Sequence, residues 1–299
     1  MIGARLDTFR LAKGLSDRSL AWSLSTRPGI EIMNLSLADI RYRVAGNGPQ
    51  TIVFMADPPN VIEHYDRLIE VLAPTFRVVC LDMPGFGFSY PRMEYNYSVD
   101  DQVMIISEFL GNLRLGPYHL AFSCGGAFAG VGIAQKFPDL VAGVINIQAA
   151  SWEQQAQWAQ RVDLMGLIGT PVLGQLLLAS APKWVARKWY DAALPCHEAA
   201  AEFQAVGLES IRHGACFCLA SGLQQLRSSP RPSLKAVTQP SLVLWGNADR
   251  THRKTQKSST REHFPSARWH EFECAGHFPE LELPEQFAAI CRDFISSVR

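Results

Sequence analysis

Three short stretches of this sequence contain the residue types of a nucleophile, a base and an acid. HLAFSCGGAF sets Ser123 among small residues after an apolar run, CAGHFPELELPEQF contains His277, and LVLWGNAD ends in Asp249. A serine hydroxyl is a poor nucleophile until a base removes its proton, and the base needs a carboxylate to orient it. The sequence therefore predicts a catalytic triad of Ser123, Asp249 and His277.

Each of the three residues also has an ordinary structural explanation. Serine patterns of this kind are common by chance, a histidine in a loop can be structural, and Asn-Ala-Asp is good turn chemistry. The neighbours of Ser123 favour the chemical interpretation, because Ala121 and Gly125 are small enough for a sharp strand-to-helix turn. The chain order of serine, aspartate and histidine matches one known triad order, so the three together are more specific than any one.

The segments around these residues alternate between strand and helix patterns. Apolar, β-branched runs such as TIVFMA, FRVVCLD, YHLAFS and PSLVLWG predict strands, and EIMNLS and DIRYRVAG predict two more. Helical patterns such as NVIEHYDRLIEVLA and VDDQVMIISEFLGNL separate them. This alternation predicts an α/β fold with a mostly parallel central sheet and helices on both faces.

The alternation stops between Ser151 and Ala236, where the patterns are helical and no strand pattern is present. We expect a helical cap over residues 152–235, at the strand ends where open α/β sheets bind ligands, and a core formed by residues 1–151 and 236–299. The uncharged stretch GLIGTPVLGQLLLASAP lines an apolar pocket or forms an interfacial lid.

An N-terminal helical segment is expected within residues 1–30. Ile2, Leu6 and Phe9 share one helical face there, which predicts packing on the body of the protein. A membrane-surface or targeting helix is the alternative, against which Asp7 and Asp17 count.

These motifs resemble the α/β-hydrolase family in its subgroup with a helical cap, from about Glu31 to Val298. The likeness rests on LDMPGFGFS, AFSCGG, LWGNAD and AGHFPELELPEQF. It implies Ser123 as the nucleophile, His277 as the base and Asp249 as the acid. Haloalkane dehalogenases and epoxide hydrolases of this family carry Asp at the nucleophile position, so the serine departs from them.

The segment after the third strand departs from the family pattern. Relatives carry His-Gly-x-Pro there, whereas this chain reads Met55-Ala56-Asp57-Pro58. By the resemblance, the backbone amides of Cys124 and Asp57 would form the oxyanion hole. We expect the Asp57 side chain to turn away towards nearby backbone amides; a protonated carboxyl or a second acid–base group are the alternatives.

The resemblance implies a serine hydrolase that cleaves a small to medium apolar ester, thioester or lactone through an acyl-enzyme on Ser123. The same triad could instead support carbon–carbon bond hydrolysis, lyase chemistry or cofactor-free oxygenation, or the fold could be a receptor-like module that binds without catalysis. The residues expected to contact the substrate are aromatic or aliphatic: Phe122, Trp152, Leu176, Leu177 and Phe278.

Composition limits the partners. The 28 basic and 28 acidic residues balance, which argues against nucleic acid, and no wholly apolar run is long enough to span a membrane. Seven cysteines lack zinc spacing and predict free thiols in a reducing cytoplasm. We expect a cytoplasmic monomer or homodimer with a small apolar substrate, no metal and no cofactor.

Overall fold

The centre of the molecule is a twisted sheet with helices on both faces. A computed structural model describes residues 2–14, 29–228 and 231–298. Within these residues the main sheet has the strand order β1-β2-β4-β3-β7-β8-β10-β11, with the short β6 paired to β2. The strands are β1 (Ile30–Asn34), β2 (Ala38–Ala45), β3 (Thr51–Ala56), β4 (Arg77–Asp82), β5 (Phe86–Gly87), β6 (Tyr90–Pro91), β7 (Tyr118–Ser123), β8 (Val141–Ile147), β9 (Cys216–Phe217), β10 (Ser241–Gly246) and β11 (Arg268–Phe272).

Six strands of this sheet, from β4 to β11 in the order given, run parallel to their neighbours. Only the edge formed by β1, β2 and β6 is antiparallel. The predicted mostly parallel sheet is therefore confirmed. Because parallel strands end at the same edge, the loops that follow β3, β7 and β10 meet there.

Helices cover both faces of the sheet, as predicted. In β3, Ile52 and Phe54 pack against one apolar cluster and Val53 and Met55 against another, as expected when successive side chains point to opposite faces. The helices are α1 (Ile2–Gly14), α2 (Asp66–Leu72), α3 (Val99–Leu113), α4 (Ala127–Lys136), α5 (Trp152–Val162), α6 (Leu173–Ser180), α7 (Pro182–Ala193), α8 (His197–Arg212), α9 (Leu219–Ser228), α10 (Pro279–Glu282) and α11 (Pro284–Ser297). Helices α2 and α11 pack on the first face, and α3 and α4 pack on the second.

The segment between β8 and β10 is mainly helical and contains α5 to α9. It also contains the two-residue strand β9, which pairs antiparallel with β5. The expectation of no strand in this segment is therefore wrong. A ladder of two residues is too short to leave a period-two pattern in the sequence. The division into a core and a separate cap stays a prediction.

Helix α1 forms as expected but buries a different face. Ile2 and Phe9 are 73% and 59% exposed, whereas Ala4 and Leu11 are buried. Asp7 is buried too, because its carboxylate accepts a 2.8 Å hydrogen bond from the Ser221 hydroxyl on α9. The prediction failed because it placed only apolar residues on the packed face. Among the described residues, no helix has the length and apolar character needed to cross a membrane.

A buried ion cluster ties together the loops at the carboxyl edge of the sheet. Arg41 contacts the carboxylates of Glu63 and Asp82. Asp82 also accepts hydrogen bonds from the amides of Ile62, at 3.0 Å, and Phe88, at 2.9 Å. A buried charge is costly unless it is paired and hydrogen-bonded, and here each carboxylate has several donors. The cluster therefore fixes the segments that follow β3 and β4.

The end of β10 approaches the loop that contains His277 very closely. A Cβ at Gly246 would overlap the carbonyl oxygen of Gly276 and lie 2.7 Å from that of Ala275. We expect Gly246→Ala to lower the free energy of unfolding by about 2–3 kcal/mol, because neither backbone can move freely. Chemical denaturation measures this change.

The control is Gly111→Ala in α3, where an added Cβ meets none of the described residues within 4 Å. This variant should gain about 0.5–1 kcal/mol, since alanine favours a helix interior over glycine. Equal stability of the two variants would contradict the close approach.

Candidate active site

The turn between β7 and α4 places Cys124 at its apex. Ser123 has extended backbone angles, with φ −107° and ψ 153°, and is still part of the strand. Cys124 has a φ of +50°, which is uncommon for a residue other than glycine. A nucleophile elbow presents its reactive side chain from such a strained strand-to-helix turn. The backbone therefore assigns the apex to the residue after Ser123.

The Ser123 hydroxyl points away from the predicted base. It donates a 3.0 Å hydrogen bond to Oε1 of Glu280, which the Tyr65 hydroxyl also contacts at 3.4 Å. Ser123 is buried, and it does not line the cavity of about 850 Å³ that opens above the carboxyl edge of the sheet. The structure therefore does not bring Ser123 to His277, contrary to the expectation. The physical reason is that Ser123 is still in the strand and its side chain points to Glu280, whereas the positive φ of Cys124 turns the next side chain towards His277.

The sulfur of Cys124 lies where the hydroxyl of Ser123 was expected. Sγ and one ring nitrogen each of His252 and His277 lie within 4.8 Å of one another. The Gln155 side-chain amide donates a 3.2 Å hydrogen bond to the sulfur. Burial raises the pKa of the Cys124 thiol, the charge of Asp57 acts in the same direction, and His277 acts against both. Burial therefore disfavours a thiolate at Cys124.

His277 and Asp249 form the predicted contact. Nδ1 of His277 lies 2.6 Å from Oδ2 of Asp249. Gln148 donates to the same oxygen at 2.9 Å, and the Thr251 hydroxyl and amide both donate to the other oxygen at 2.7 Å. Although burial alone would raise it, His277 and these donors lower the pKa of Asp249 to about 2. Asp249 is therefore ionised and holds one orientation of the imidazole.

A second carboxylate supports the His277 loop through its backbone. Glu282 accepts hydrogen bonds from the amides of Gly276, at 2.8 Å, and Phe278, at 3.0 Å, on either side of His277. The amide of His277 donates to the carbonyl oxygen of Ala193 at 3.0 Å. Burial raises the pKa of Glu282 to about 7. Sequence reasoning missed this role, for which the only signal was a glutamate five residues after the histidine.

The Asp57 side chain faces His277. Its Oδ2 lies 3.2 Å from Nε2 of His277, and neither atom has a hydrogen-bond partner with good geometry among the described residues. The expectation that this side chain turns away is therefore wrong. Pro58 and Pro59 follow directly and have no amide hydrogens, so they offer the carboxylate no donors.

His277 thus lies between two carboxylates. Although burial disfavours the imidazolium, the charge of Asp249 and the contacts with Cys124 and Asp57 hold the pKa of His277 well above its ordinary value. Nδ1–H of the imidazolium donates to Asp249, and Nε2–H faces Asp57. Removal of the Nε2 proton frees a lone pair that can act as a base.

A second imidazole, which the sequence reasoning also missed, packs beside the first. The rings of His252 and His277 stack with centroids 5.3 Å apart, and His252 stacks on Trp158 at 5.0 Å. Burial lowers the pKa of His252 to about 3, so this ring is neutral. Cys124, His252 and His277 are the described residues whose positions could hold a metal ion. His252 lies in a loop with no recognisable motif.

A cavity of about 850 Å³ opens above the carboxyl edge of the sheet. Its wall includes one residue shortly after each of five parallel strands: Asp57, Met83, Cys124, Trp152 and Arg250. Much of the remaining wall comes from the helical segment between β8 and β10, including Trp158, Val185 and Leu223. This location is the one expected for ligand binding in an open α/β sheet.

Of the five residues predicted to contact the substrate, only Trp152 lines this cavity. Phe122 and Phe278 are buried in apolar clusters, because their side chains point into the packed layers. Leu176 is 56% exposed, and Leu177 packs against the main core. The prediction that Leu176 and Leu177 contact the substrate is therefore wrong, because α6 directs both side chains away from the cavity.

Known proteins resemble this chain in fold and, at low identity, in sequence. The profile of a family described as "alpha/beta hydrolase fold" matches residues 59–282. The pimeloyl-[acyl-carrier protein] methyl ester esterase of Nitrosomonas europaea is 27% identical over 85% of this chain and 98% of its own. An uncharacterized hydrolase of Saccharomyces cerevisiae is 29% identical, but the match covers only 38% of this chain and 39% of that one. The structure of epoxide hydrolase A from Mycobacterium thermoresistibile superposes with a TM-score of 0.73 at 16% identity, covering 89% of this chain and 98% of that one.

We expect Asp57→Asn to lower the pKa of His277, because the variant removes a negative charge 3.2 Å from Nε2. Titration of the His277 ring resonance by NMR measures the pKa directly. Asp100→Asn, at an exposed site on α3, is the matched control and should leave the resonance unchanged. An unaltered pKa in Asp57→Asn would show that the two side chains do not interact in solution.

Proposed function

Since the chain belongs to the α/β hydrolase family, we propose that it hydrolyses a small to medium apolar ester, thioester or lactone through an acyl-enzyme on Cys124. The observation that carries the proposal is the position of the sulfur. Cys124 occupies the apex of the elbow and lines the cavity beside His277, whereas the Ser123 hydroxyl is bonded to Glu280. The proposed nucleophile is therefore a thiol and not the serine expected from the sequence.

Before the reaction, the imidazolium of His277 releases its Nε2 proton to solvent. In the first half of the reaction, Sγ of Cys124 attacks the substrate carbonyl carbon while Nε2 of the neutral His277 takes the thiol proton. Asp249 holds the imidazole and stabilises the imidazolium. The tetrahedral intermediate collapses, the bond to the leaving group breaks, and the leaving group takes the proton from His277. In the second half, a water gives a proton to Nε2 and attacks the thioester. The acid leaves, and the proton returns to the sulfur.

The proposed oxyanion donors shift with the nucleophile. The residue after the nucleophile supplies one amide in this family, and after Cys124 that residue is Gly125, which lines the cavity. The amide of Asp57 remains the second proposed donor. The amide of Cys124, predicted from the sequence for this role, would serve only if Ser123 attacked. Each donor would contribute a few kcal/mol to the transition state.

The apolar character of the proposed substrate rests on the cavity wall. Trp152 and Trp158, together with Val185 and Leu223, line the same cavity as Cys124. The methyl ester esterase of Nitrosomonas europaea supports an acyl substrate by its name and by its match along most of this chain. The reaction needs no metal or cofactor, because the thiol, imidazole and carboxylate supply the nucleophile, base and acid.

A second candidate function is favoured by the contact between Asp57 and His277. Two acid–base groups on one imidazole suit proton transfer in lyase chemistry or carbon–carbon bond cleavage. In that case Cys124 would not become acylated during turnover. Detection of a thioester on Cys124 separates the two candidates.

We expect Cys124→Ala to lower kcat/KM for an apolar p-nitrophenyl ester by at least about a thousandfold, since it removes the nucleophile. Ser123→Ala should change kcat/KM less than about tenfold, because the hydroxyl that it removes is bonded to Glu280 and does not face the proposed reacting sulfur. Steady-state kinetics of the two variants and of the native protein compare these effects. The reverse order of losses would restore Ser123 as the nucleophile.

Mass spectrometry of the acid-quenched enzyme identifies the acylated residue. The acyl group should lie on the peptide containing Cys124 and be released by neutral hydroxylamine, as a thioester is. A parent protein with Cys196→Ser and Cys274→Ser removes the two exposed free thiols that would otherwise react. Absence of an acyl group during rapid turnover would favour the second candidate function.

A further inference from the structure

The mouth of the cavity carries a cluster of basic side chains. Five such residues, from three separate segments of the chain, line the cavity and are exposed to solvent. We call them the cationic mouth, and they are Arg161, Lys188, Arg250, Arg253 and Lys254. The buried part of the same cavity wall is mainly apolar, with residues such as Trp152, Trp158 and Val185. The site therefore combines an apolar interior with a positively charged entrance.

Two carboxylates line the cavity within the described chain, and neither neutralises the mouth. Asp57 is buried and faces His277. Asp191 accepts a 2.8 Å hydrogen bond from the Gln204 side chain on α8. Across residues 2–14, 29–228 and 231–298, no carboxylate lies within ion-pair distance of the five basic side chains. The ion pairs in these residues are formed by other basic side chains, such as Arg43, Arg231 and Lys257. The cavity wall thus has a local excess of positive charge in a chain whose total charge is balanced.

Two of the five cations are held in place by neutral acceptors. Arg161 donates to the Thr255 hydroxyl at 2.9 Å, and Arg250 donates to the carbonyl oxygen of Leu194 at 3.1 Å and to that of Asp191. These contacts fix the guanidinium groups without cancelling their charge. A preorganised charge of this kind is available to a ligand.

We infer that the substrate carries an anionic group, a carboxylate or a phosphate, which lies at the cationic mouth while the apolar part fills the interior beside Cys124. The inference that the substrate is an ester rests on the proposed function. The inference that it is an anion rests on the mouth alone. The chemical class is an amphipathic acyl compound with one apolar part and one anionic end.

The expected preference is moderate because the cations are exposed. A single exposed ion pair would improve binding roughly twofold to fivefold, and several acting together would give about tenfold or more. A charged entrance also speeds the encounter with an oppositely charged substrate, an effect that salt screens. The preference should therefore be seen in kcat/KM and should decrease at about 0.5 M NaCl.

The test uses five chromogenic or ultraviolet-absorbing esters of similar length. They are p-nitrophenyl hexanoate, the mono-p-nitrophenyl ester of hexanedioic acid, p-nitrophenyl 6-aminohexanoate, the hexanoate ester of 4-hydroxybenzoic acid, and the hexanoate ester of methyl 4-hydroxybenzoate, which is the neutral counterpart of the fourth. The second places a carboxylate on the acyl side and the fourth places it on the leaving group. We expect one of these two anionic esters to exceed its neutral counterpart by about tenfold in kcat/KM, and the cationic ester to be the poorest. The preferred anionic ester shows which side of the substrate faces the mouth.

The variant that tests the mouth is Lys188→Gln with Arg253→Gln. It should lose most of the preference, measured as the ratio of kcat/KM for the anionic ester to kcat/KM for the neutral ester in the same variant. The matched control is Lys183→Gln with Arg187→Gln, which changes the charge equally on exposed positions of α7 that do not line the cavity. This control should keep the native preference.

Three results would overturn the inference: equal rates with neutral and anionic esters, an unchanged preference in the mouth variant, or an equal loss in the control. None of them bears on the acylation of Cys124, which is read from the neutral ester. Conversely, a preference for anionic esters in an enzyme that never acylates Cys124 would support the mouth and reject the proposed nucleophile.

Discussion

The candidate site depends on the backbone turn at Cys124. A single residue with a positive φ ends β7 and directs the following segment into α4. That turn separates two neighbouring side chains, so Ser123 meets Glu280 while the sulfur of Cys124 meets the imidazoles. Strain of this kind persists only where the surroundings determine the conformation. Here Gly126 allows it, because a Cβ there would lie 2.6 Å from the Met55 side chain.

The second organising feature is the concentration of acidic groups around one imidazole. Asp249 holds Nδ1, Asp57 faces Nε2, and Glu282 fixes the backbone on both sides of His277. Such an arrangement favours the imidazolium and ties the loops after β3 and β10 to the loop before α10. In the proposed reaction, the use of His277 as a base depends on how easily its Nε2 proton is released, and the negative charge of Asp57 opposes that release.

The sequence was sufficient for the fold and for the pairing of His277 with Asp249. Both depend on the positions of strands and loops, which can be predicted from the local pattern of apolar residues. It was insufficient for the choice between Ser123 and Cys124, because a shift of one residue reverses the direction of a side chain while leaving the motif intact. The contacts of Asp57 and His252 were also missed, since they arise from segments that are distant in sequence and carry no shared pattern.

The order of the strands has a consequence for how the protein is made. Cys124 leaves the ribosome long before Asp249 and His277, which lie in the last fifth of the chain. Synthesis at about 5–20 residues per second makes this delay on the order of ten seconds. During that interval Cys124 has neither the imidazole nor the carboxylate that adjoin it in the folded protein. The arrangement proposed for catalysis therefore assembles only when the final strands dock.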